Sequence, residues 1–460
     1  MKGLTPKNIA AACHGTLHSN CDFPEIEIQS VTTDSRKVEK DCLFIPIRGA
    51  RVDGHDFISQ VMEAGAMLTL SEQPLTENIP HIRVTSTVQA LKDLAEYYLQ
   101  VLGIPVVGIT GSVGKTSTKE MIAAVLSEKF NVLKTAGNFN NEIGLPLTVF
   151  RLRDEHQIAV LEMGISEFGE MSRLGKIAKP DVMVITNIGL CHLENLHSRD
   201  GILKAKTEVF DQMSPKATVI LNGDDDKLST ICEVNGKAPV FFGRKSKKSA
   251  VYAENIEKLG LKGTKCTLVM GREKAETMIP IPGEHMVMNA LAAAAVGDVF
   301  GMELTEIAGG ISHVASVNGR LNIIETDKYT IVDDCYNANP VSMKASLKLL
   351  ADAKDEVAGK TAILGDMFEL GANEKQLHRE VGAFAASCGF EQLIFIGELG
   401  AEMKTAAVEN GAGANTYYFA TVEECIGALD EILAPQSTVL IKASHGMGFT
   451  RIVDKLTKKI

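Results

Sequence analysis

From residue 104 onward the chain repeats one pattern, a short apolar run followed by a helical one. The runs at 105–110, 158–162, 182–186, 218–221 and 240–243 are continuous and do not alternate in polarity. A strand buried on one face alternates apolar and polar residues, whereas a strand buried on both faces does not. Continuous runs separated by helical stretches therefore demand an α/β fold, a parallel sheet with helices on both sides. Between 251 and 282 the texture changes to alternation broken by Gly and Lys, which predicts hairpins, and 284–300 then reads as an Ala-rich helix. Past Ser316 the strand-and-helix pattern resumes, with strands at 329–333, 361–364, 393–396, 416–419 and 439–442. This stretch is Rossmann-like in texture, but no G-x-G-x-x-G follows any of its strands. The first 84 residues differ again, with short β-like runs at 43–47, 67–70 and 82–84 and an amphipathic stretch at 57–66. A polar helix over 87–100 carries Val88, Leu91, Leu94, Ala95 and Tyr98 at helical spacing and connects this part to the next. The expected organisation is a small α/β domain at 1–84, a central parallel-sheet domain at 85–316 and a C-terminal Rossmann-like domain at 317–460.

Composition narrows the function. A net charge of −11 disfavours nucleic-acid and anionic-membrane partners. No stretch approaches the roughly 20 apolar residues of a membrane helix, and the first residues contain no apolar leader, so neither membrane insertion nor secretion is expected. The nine cysteines are scattered without a C-x-x-C, which reads as reduced thiols in the cytoplasm, neither a disulfide framework nor a zinc site.

Ligands of open parallel sheets collect at the carboxyl ends of the strands. The polar motifs of this chain fall there: Gly111–Thr116, Glu162, Asn187 to His192, Asp333-Asp334, Gly365-Asp366 and Ala443-Ser444-His445. The segment Gly111-Ser112-Val113-Gly114-Lys115-Thr116-Ser117 follows an apolar strand and opens a helix. Its glycines let backbone N–H groups approach a phosphate chain, and the helix N-terminus adds the positive end of its dipole. Lys115 supplies a point charge to the outer phosphates, and the Thr116 hydroxyl suits Mg²⁺. The full phosphate-loop spacing is not met, because Ile109 stands where its first Gly belongs.

Four further residues carry chemistry. Glu162 ends an apolar strand, where a carboxylate either holds Mg²⁺ or caps a helix. Lys206 shares a helix face with Ile202, Leu203, Val209 and Phe210, so its amine is paired, neutral or modified, unless it snorkels to the surface. A desolvated amine can take up CO₂ and become an anionic carbamate, an oxygen ligand for a second Mg²⁺. His192, in a loop after a strand, either ligates metal, contacts phosphate or is merely solvated. Asn289 lies on a packed helix face and needs partners, which an adenine edge or a neighbouring backbone would supply. Farther on, Arg320 offers a guanidinium fork for phosphate or carboxylate. The Asx-rich loop Asp333–Asn339 before Pro340 is either a helix cap or a binding loop.

Taken together, T-G-S-V-G-K-T-S (110–117), T-A-G-N-F-N-N-E-I-G-L-P (135–146), L-E-M-G (161–164), I-L-K-A-K-T-E (202–208), N-G-R (318–320) and D-C-Y-N-A-N-P (334–340) resemble the Mur ligases. D-S-R-K-V (34–38) and G-D-M-F-E-L-G (365–371) extend the resemblance over the whole chain. It implies three domains: one for a UDP-sugar peptide, a central P-loop ATPase, and a Rossmann-like domain that closes over the site. The N-F-N-N-E-I-G-L-P and Y-N-A-N-P runs resemble the branch that joins D-alanyl-D-alanine to UDP-N-acetylmuramoyl-tripeptide. A cytoplasmic, monomeric peptidoglycan-precursor ligase using ATP and Mg²⁺ is thereby implied. Its catalytic residues would be Lys115, Lys206 and His192. ATP would be held by 111–117 (Gly111, Ser112, Val113, Gly114, Lys115, Thr116, Ser117) with Asn289, Arg320 and Asp334. The peptide and dipeptide substrates would meet Ser35, Arg36, Thr135, Asn138, Asn140, Asn141, Tyr336, Asn337 and Asn339. Metal would be held by Thr116, Glu162, His192 and carbamylated Lys206. One stretch departs: the family usually carries Arg in K-x-S-R near the C-terminus, and here the run Lys442-Ala443-Ser444-His445 ends in His.

Overall fold

The structure is a computed structural model that describes residues 1–19, 25–75, 79–246, 248–353 and 359–457. Cys21 lies outside the described residues, and the other eight cysteines are free thiols.

Three sheets stand where three units were expected. The central sheet has nine strands, in the order 273–279, 264–270, 251–258, 240–242, 218–222, 182–185, 106–110, 158–162, 132–134. All pairs from 251–258 to 132–134 are parallel, and the hairpins foreseen at 251–282 add an antiparallel wing. Strand Val106–Thr110 is buried at every position, as its continuous apolar run requires. It lies between Val182–Ile185 and Ile158–Glu162, so the chain after it leaves from a point where neighbouring strands run off to opposite sides. That crevice is where a doubly wound sheet binds its ligand.

The C-terminal sheet has six strands, ordered 322–325, 330–333, 438–442, 360–365, 392–396, 416–419. Its last strand in sequence, Thr438–Lys442, is inserted between the first two parallel strands. Asn322–Glu325, which has no run of its own in the pattern, adds an antiparallel edge. The first domain carries a five-stranded sheet built partly from strands of two or three residues, too short to leave a periodic signal.

The connector helix runs over Thr87–Leu102, capped by the Ser86 hydroxyl, and it is not simply polar. Leu91, Leu94, Ala95, Tyr98 and Leu99 are buried in one cluster with Ile9 and Leu43 of the first domain and Leu145, Val149 and Leu161 of the central one. The Tyr98 hydroxyl donates to the Leu152 carbonyl at 2.8 Å. The helix is thus a shared wall that fixes the first domain onto the second. No described helix is long and apolar enough to cross a membrane.

Candidate active site

Strand Val106–Thr110 delivers the chain into the glycine-rich turn. At Gly111, φ is +151°, and a Cβ there would lie 1.9 Å from the Thr186 hydroxyl, so no other residue fits. Helix Lys115–Ser127 then starts without a side-chain cap. Its first-turn N–H groups are left for a ligand, at the positive end of the helix dipole. The turn is braced by the segment after strand Val182–Ile185. Asn187 accepts from Val113 N–H at 3.0 Å and donates to Val113 O at 2.9 Å. Gly189 N–H donates to the Ser112 hydroxyl at 2.8 Å, and the Cys191 thiol sits on that same oxygen at 3.2 Å. The Lys115 ammonium folds back onto Gly111 O at 2.9 Å.

A cavity of about 420 Å³ opens over this turn, walled by both the central and the C-terminal domains. Ser112, Val113, Gly114, Lys115, Thr116, Ser117 and Asn289 line it from one side, and Arg320, Asp334, Asn337 and Asn339 from the other. Asn289 is buried; its carbonyl oxygen accepts from the Thr118 hydroxyl at 3.1 Å, and its amide faces only the Met286 sulfur, a weak acceptor. The Arg320 guanidinium lies 4.2 Å from the Tyr336 ring centre and reaches the Thr116 hydroxyl at 3.5 Å across the domain boundary. Its buried Nε has no hydrogen-bond partner among the described residues. Asp334 is more constrained, because Lys442 and Ser346 both donate to its Oδ2 at 2.6 Å and Leu321 N–H donates to Oδ1. Asn339 caps helix Pro340–Asp352 by accepting from Ser342 N–H at 2.9 Å, so the cap reading of that loop holds for this residue.

Glu162 lies one strand over, paired in register with Ile109. Its Oε1 accepts from Asn140 Nδ2 at 2.8 Å, while Oε2 is buried and unpartnered. Thr135 fixes the strand end, its hydroxyl accepting from Glu162 N–H at 3.0 Å. Asn141 accepts from Ile143 and Gly144 N–H at the start of a short helix, and Asn138 is exposed in the loop before it.

Lys206 is only 1% exposed, on helix Arg199–Thr207, and no ion pair reaches it among the described residues. Burial, with a smaller contribution from the Lys115 charge, pushes its pKa down to about 7. His192 caps a short helix with left-handed backbone, φ +51°. Its Nδ1 lies 2.9 Å from the Glu369 carboxylate of the C-terminal domain. Burial lowers its pKa against the pull of Glu369, and Lys115 and Lys206 lower it too. Lys115, Lys206 and His192 therefore form one electrostatic group.

Ser35 and Arg36 are not brought to this cavity. The Arg36 side chain is 86% exposed in the first domain and grips the Asp34 carboxylate at 2.8 and 2.9 Å, holding its pKa down to about 2. The motif reading overlooked Lys119, which is buried, donates to Thr135 O at 2.7 Å and stands 4.0 Å from Glu162 Oε2. Its spacing from Ile122 and Leu126 on the buried helix face was the available signal. Glu369 and Lys442 lie in the G-D-M-F-E-L-G and Lys442-Ala443-Ser444-His445 runs, but their partners are reached only through the fold.

A phosphate-binding turn under a cleft walled by two α/β domains, with a third domain fixed alongside, is the architecture of an ATP-dependent amino-acid ligase, and the chain belongs to the Mur ligase family. The family's catalytic-domain description matches residues 27–115, the Mur ligase middle domain 109–297, and the Mur ligase glutamate ligase domain 319–445. Over 458 residues, 98% of each chain, it is 38% identical to the UDP-N-acetylmuramoyl-tripeptide–D-alanyl-D-alanine ligase of Bacillus subtilis (strain 168). It is also similar to a crystal structure of MurF from Acinetobacter baumannii, at 31% identity and TM-score 0.88 over 99% of both chains. MurF from Thermotoga maritima in complex with ADP matches 94% of this chain and 97% of its own, at 28% identity and TM-score 0.81.

Proposed function

We propose that this chain is an ATP-dependent amide ligase that joins D-alanyl-D-alanine to UDP-N-acetylmuramoyl-tripeptide in cytoplasmic peptidoglycan-precursor synthesis. The full-length likeness to the Bacillus subtilis ligase of that name carries the choice of substrates. The cleft supports the chemistry. The peptide's terminal carboxylate attacks the γ-phosphorus of ATP, the bond to the ADP oxygen breaks, and an acyl phosphate forms. The dipeptide amine then attacks the acyl carbon, phosphate leaves with the former carboxylate oxygen, and the amine's proton goes to solvent. Phosphoryl transfer needs position and charge neutralisation more than covalent help. The first-turn N–H groups and Lys115 serve the ATP phosphates, and Arg320 brings a cation from the opposite wall. Residues 1–84 are assigned to the UDP-sugar, where Arg36 is exposed beside half-buried Ser35, 85–316 to ATP, and 317–460 to the closing wall.

The Mg²⁺ that such a reaction employs fits the residues present. Glu162 Oε2 is buried with no hydrogen-bond partner among the described residues and has only the Lys119 ammonium at 4.0 Å to balance it, which leaves room for a cation or donor to complete it. No group of three or more His, Cys, Asp or Glu among the described residues forms a ready cage, which suits an ion that keeps water and phosphate ligands. Thr116 and Glu162 would hold one ion, and His192 and carbamylated Lys206 a second. Bound there, Mg²⁺ neutralises phosphate charge. Lys206 takes up CO₂ as the neutral amine: the nitrogen lone pair forms a C–N bond, one C=O π bond opens to give the carboxylate, and the nitrogen's proton passes to water.

The test is ADP release with UDP-sugar peptides crossed against a panel of amines. Turnover that needs both the tripeptide precursor and D-alanyl-D-alanine is expected. ATP turnover indifferent to any amine would point to a plain phosphotransferase and sink the ligase reading.

A further inference from the structure

Lys119 takes no part in the reaction as set out above, although it stands beside the carboxylate given to Mg²⁺. It lies on helix Lys115–Ser127, one turn beyond Lys115 and so on the same side of that helix. The side chain is buried, and an ammonium so placed must be compensated. Three oxygens face it. Lys119 Nζ donates to Thr135 O at 2.7 Å, ion-pairs with Glu120 Oε1 at 3.0 Å and stops 4.0 Å from Glu162 Oε2.

An N–H···O bond spans about 2.7–3.2 Å, so the first two contacts fall within that reach and the third does not. At the longer distance the charges still attract, the more so where water is excluded. Lys119 therefore balances the Glu162 charge without taking up its lone pair. Other groups hold the glutamate in place: its N–H donates to the Thr135 hydroxyl at 3.0 Å, and Asn140 Nδ2 donates to Oε1 at 2.8 Å. Oε2 is left with no hydrogen-bond partner among the described residues. The ammonium is anchored away from it by Thr135 O, at the base of the same loop that carries Asn140. A lysine that served only to join helix to strand would gain most by bonding Oε2, and apolar residues of similar volume would join them as well.

We propose that Lys119 is a positioning residue for Glu162: it balances that carboxylate in the empty site, leaves Oε2 open to Mg²⁺, and by its charge keeps the bound ion from being held too tightly. This rests on the assignment of Glu162 to Mg²⁺ in the ligase reading. A fixed cation beside the site suits an ion that must leave with product after each turnover.

Melting temperatures of the full chain in EDTA and with Mg²⁺ alone test it, for Lys119→Met, Glu162→Gln and the two substitutions together. Lys119→Met removes the ammonium at nearly constant volume and leaves Glu162 buried without a counter-charge, so it should melt below wild type in EDTA. Mg²⁺ replaces the missing charge, and should raise the melting temperature of Lys119→Met by more than it raises that of wild type. In the double variant that excess should vanish. A purely structural lysine predicts the same fall in EDTA and no excess. Lys119→Arg keeps the charge on a longer, forked head with donors for Thr135 O and Oε2 together. It should fold, and should raise the Mg²⁺ concentration for half-maximal rate roughly 10-fold or more with KM for the amine unchanged. A Mg²⁺ shift for Lys119→Met no larger than that of wild type, an excess that survives Glu162→Gln, or an unchanged Mg²⁺ requirement in Lys119→Arg would overturn the proposal. Should Lys119→Met not fold, the Mg²⁺ requirement of Lys119→Arg decides alone. A wild-type chain that makes no amide would instead defeat the ligase reading, and the melting comparison would still decide Lys119.

Discussion

Lys206 concentrates the physical argument at the residue scale. Burial lowers its pKa from the ordinary 10.5 to about 7, so between those values the unfolded chain binds a proton that the folded chain does not. Stability should therefore rise with pH across that window and be lowest below it, where a charged amine stays buried. Urea midpoints at pH 7 and pH 9 in CO₂-free buffer should show this gain, and Lys206→Met should remove it; equal slopes in the two proteins would count against a buried amine. On the proposed reading, CO₂ converts the same neutral amine to the carbamate. Lys206→Ala should then be nearly inactive and partly restored by small carboxylic acids, whereas Lys206→Arg should stay inactive because it keeps the wrong sign of charge. An active Arg variant that ignores carboxylates would show that Lys206 works as a cation. Glu162→Ala removes the unpartnered oxygen and should raise the Mg²⁺ concentration needed for half-maximal rate. An unchanged Mg²⁺ titration would leave Glu162 as the partner of Asn140 and Lys119 only.

Among the elements, close approach of helices sets the tolerances. Helix Glu374–Ser387 packs on Gly400–Glu409, and a Cβ at Gly382 would lie 2.0 Å from the Met403 carbonyl oxygen and 2.7 Å from its Cα. Backbone cannot yield as a flexible side chain does. Gly382→Ala should cost about 2 kcal/mol or more, read as a lower denaturation midpoint; an unchanged midpoint would mean the helices part freely. Other elements differ in how well the chain advertises them. Strand Ile158–Glu162 and helix Met286–Val299 lie where apolar runs and Ala-rich periodicity put them, because their burial is continuous. Val132–Lys134 and Asn322–Glu325 are edges of three and four residues, held by one neighbour and invisible to periodicity. The candidate site divides in the same way. The Gly111–Ser117 turn and Glu162 follow from strand, turn and helix in local register. The approach of Glu369 to His192, and of Arg320 to Thr116, depends on how two domains meet.

Over the whole molecule, three sheets share two seams. The helix Thr87–Leu102 buries one seam in an apolar cluster, while the other, between the central and C-terminal domains, holds the cleft, lined by polar and apolar residues together. The insertion of Thr438–Lys442 beside Thr330–Asp333 carries Lys442 to Asp334 and so ties the last strand to the cleft wall. That arrangement suits a reaction in which one oxygen passes from peptide to phosphate inside a closed cleft. The most direct measurement is therefore isotopic. UDP-sugar tripeptide labelled with ¹⁸O in its terminal carboxylate is turned over with ATP and D-alanyl-D-alanine, and the released phosphate is weighed by mass spectrometry. One ¹⁸O per phosphate is the result expected of an acyl phosphate route. Unlabelled phosphate accompanying amide product would contradict it.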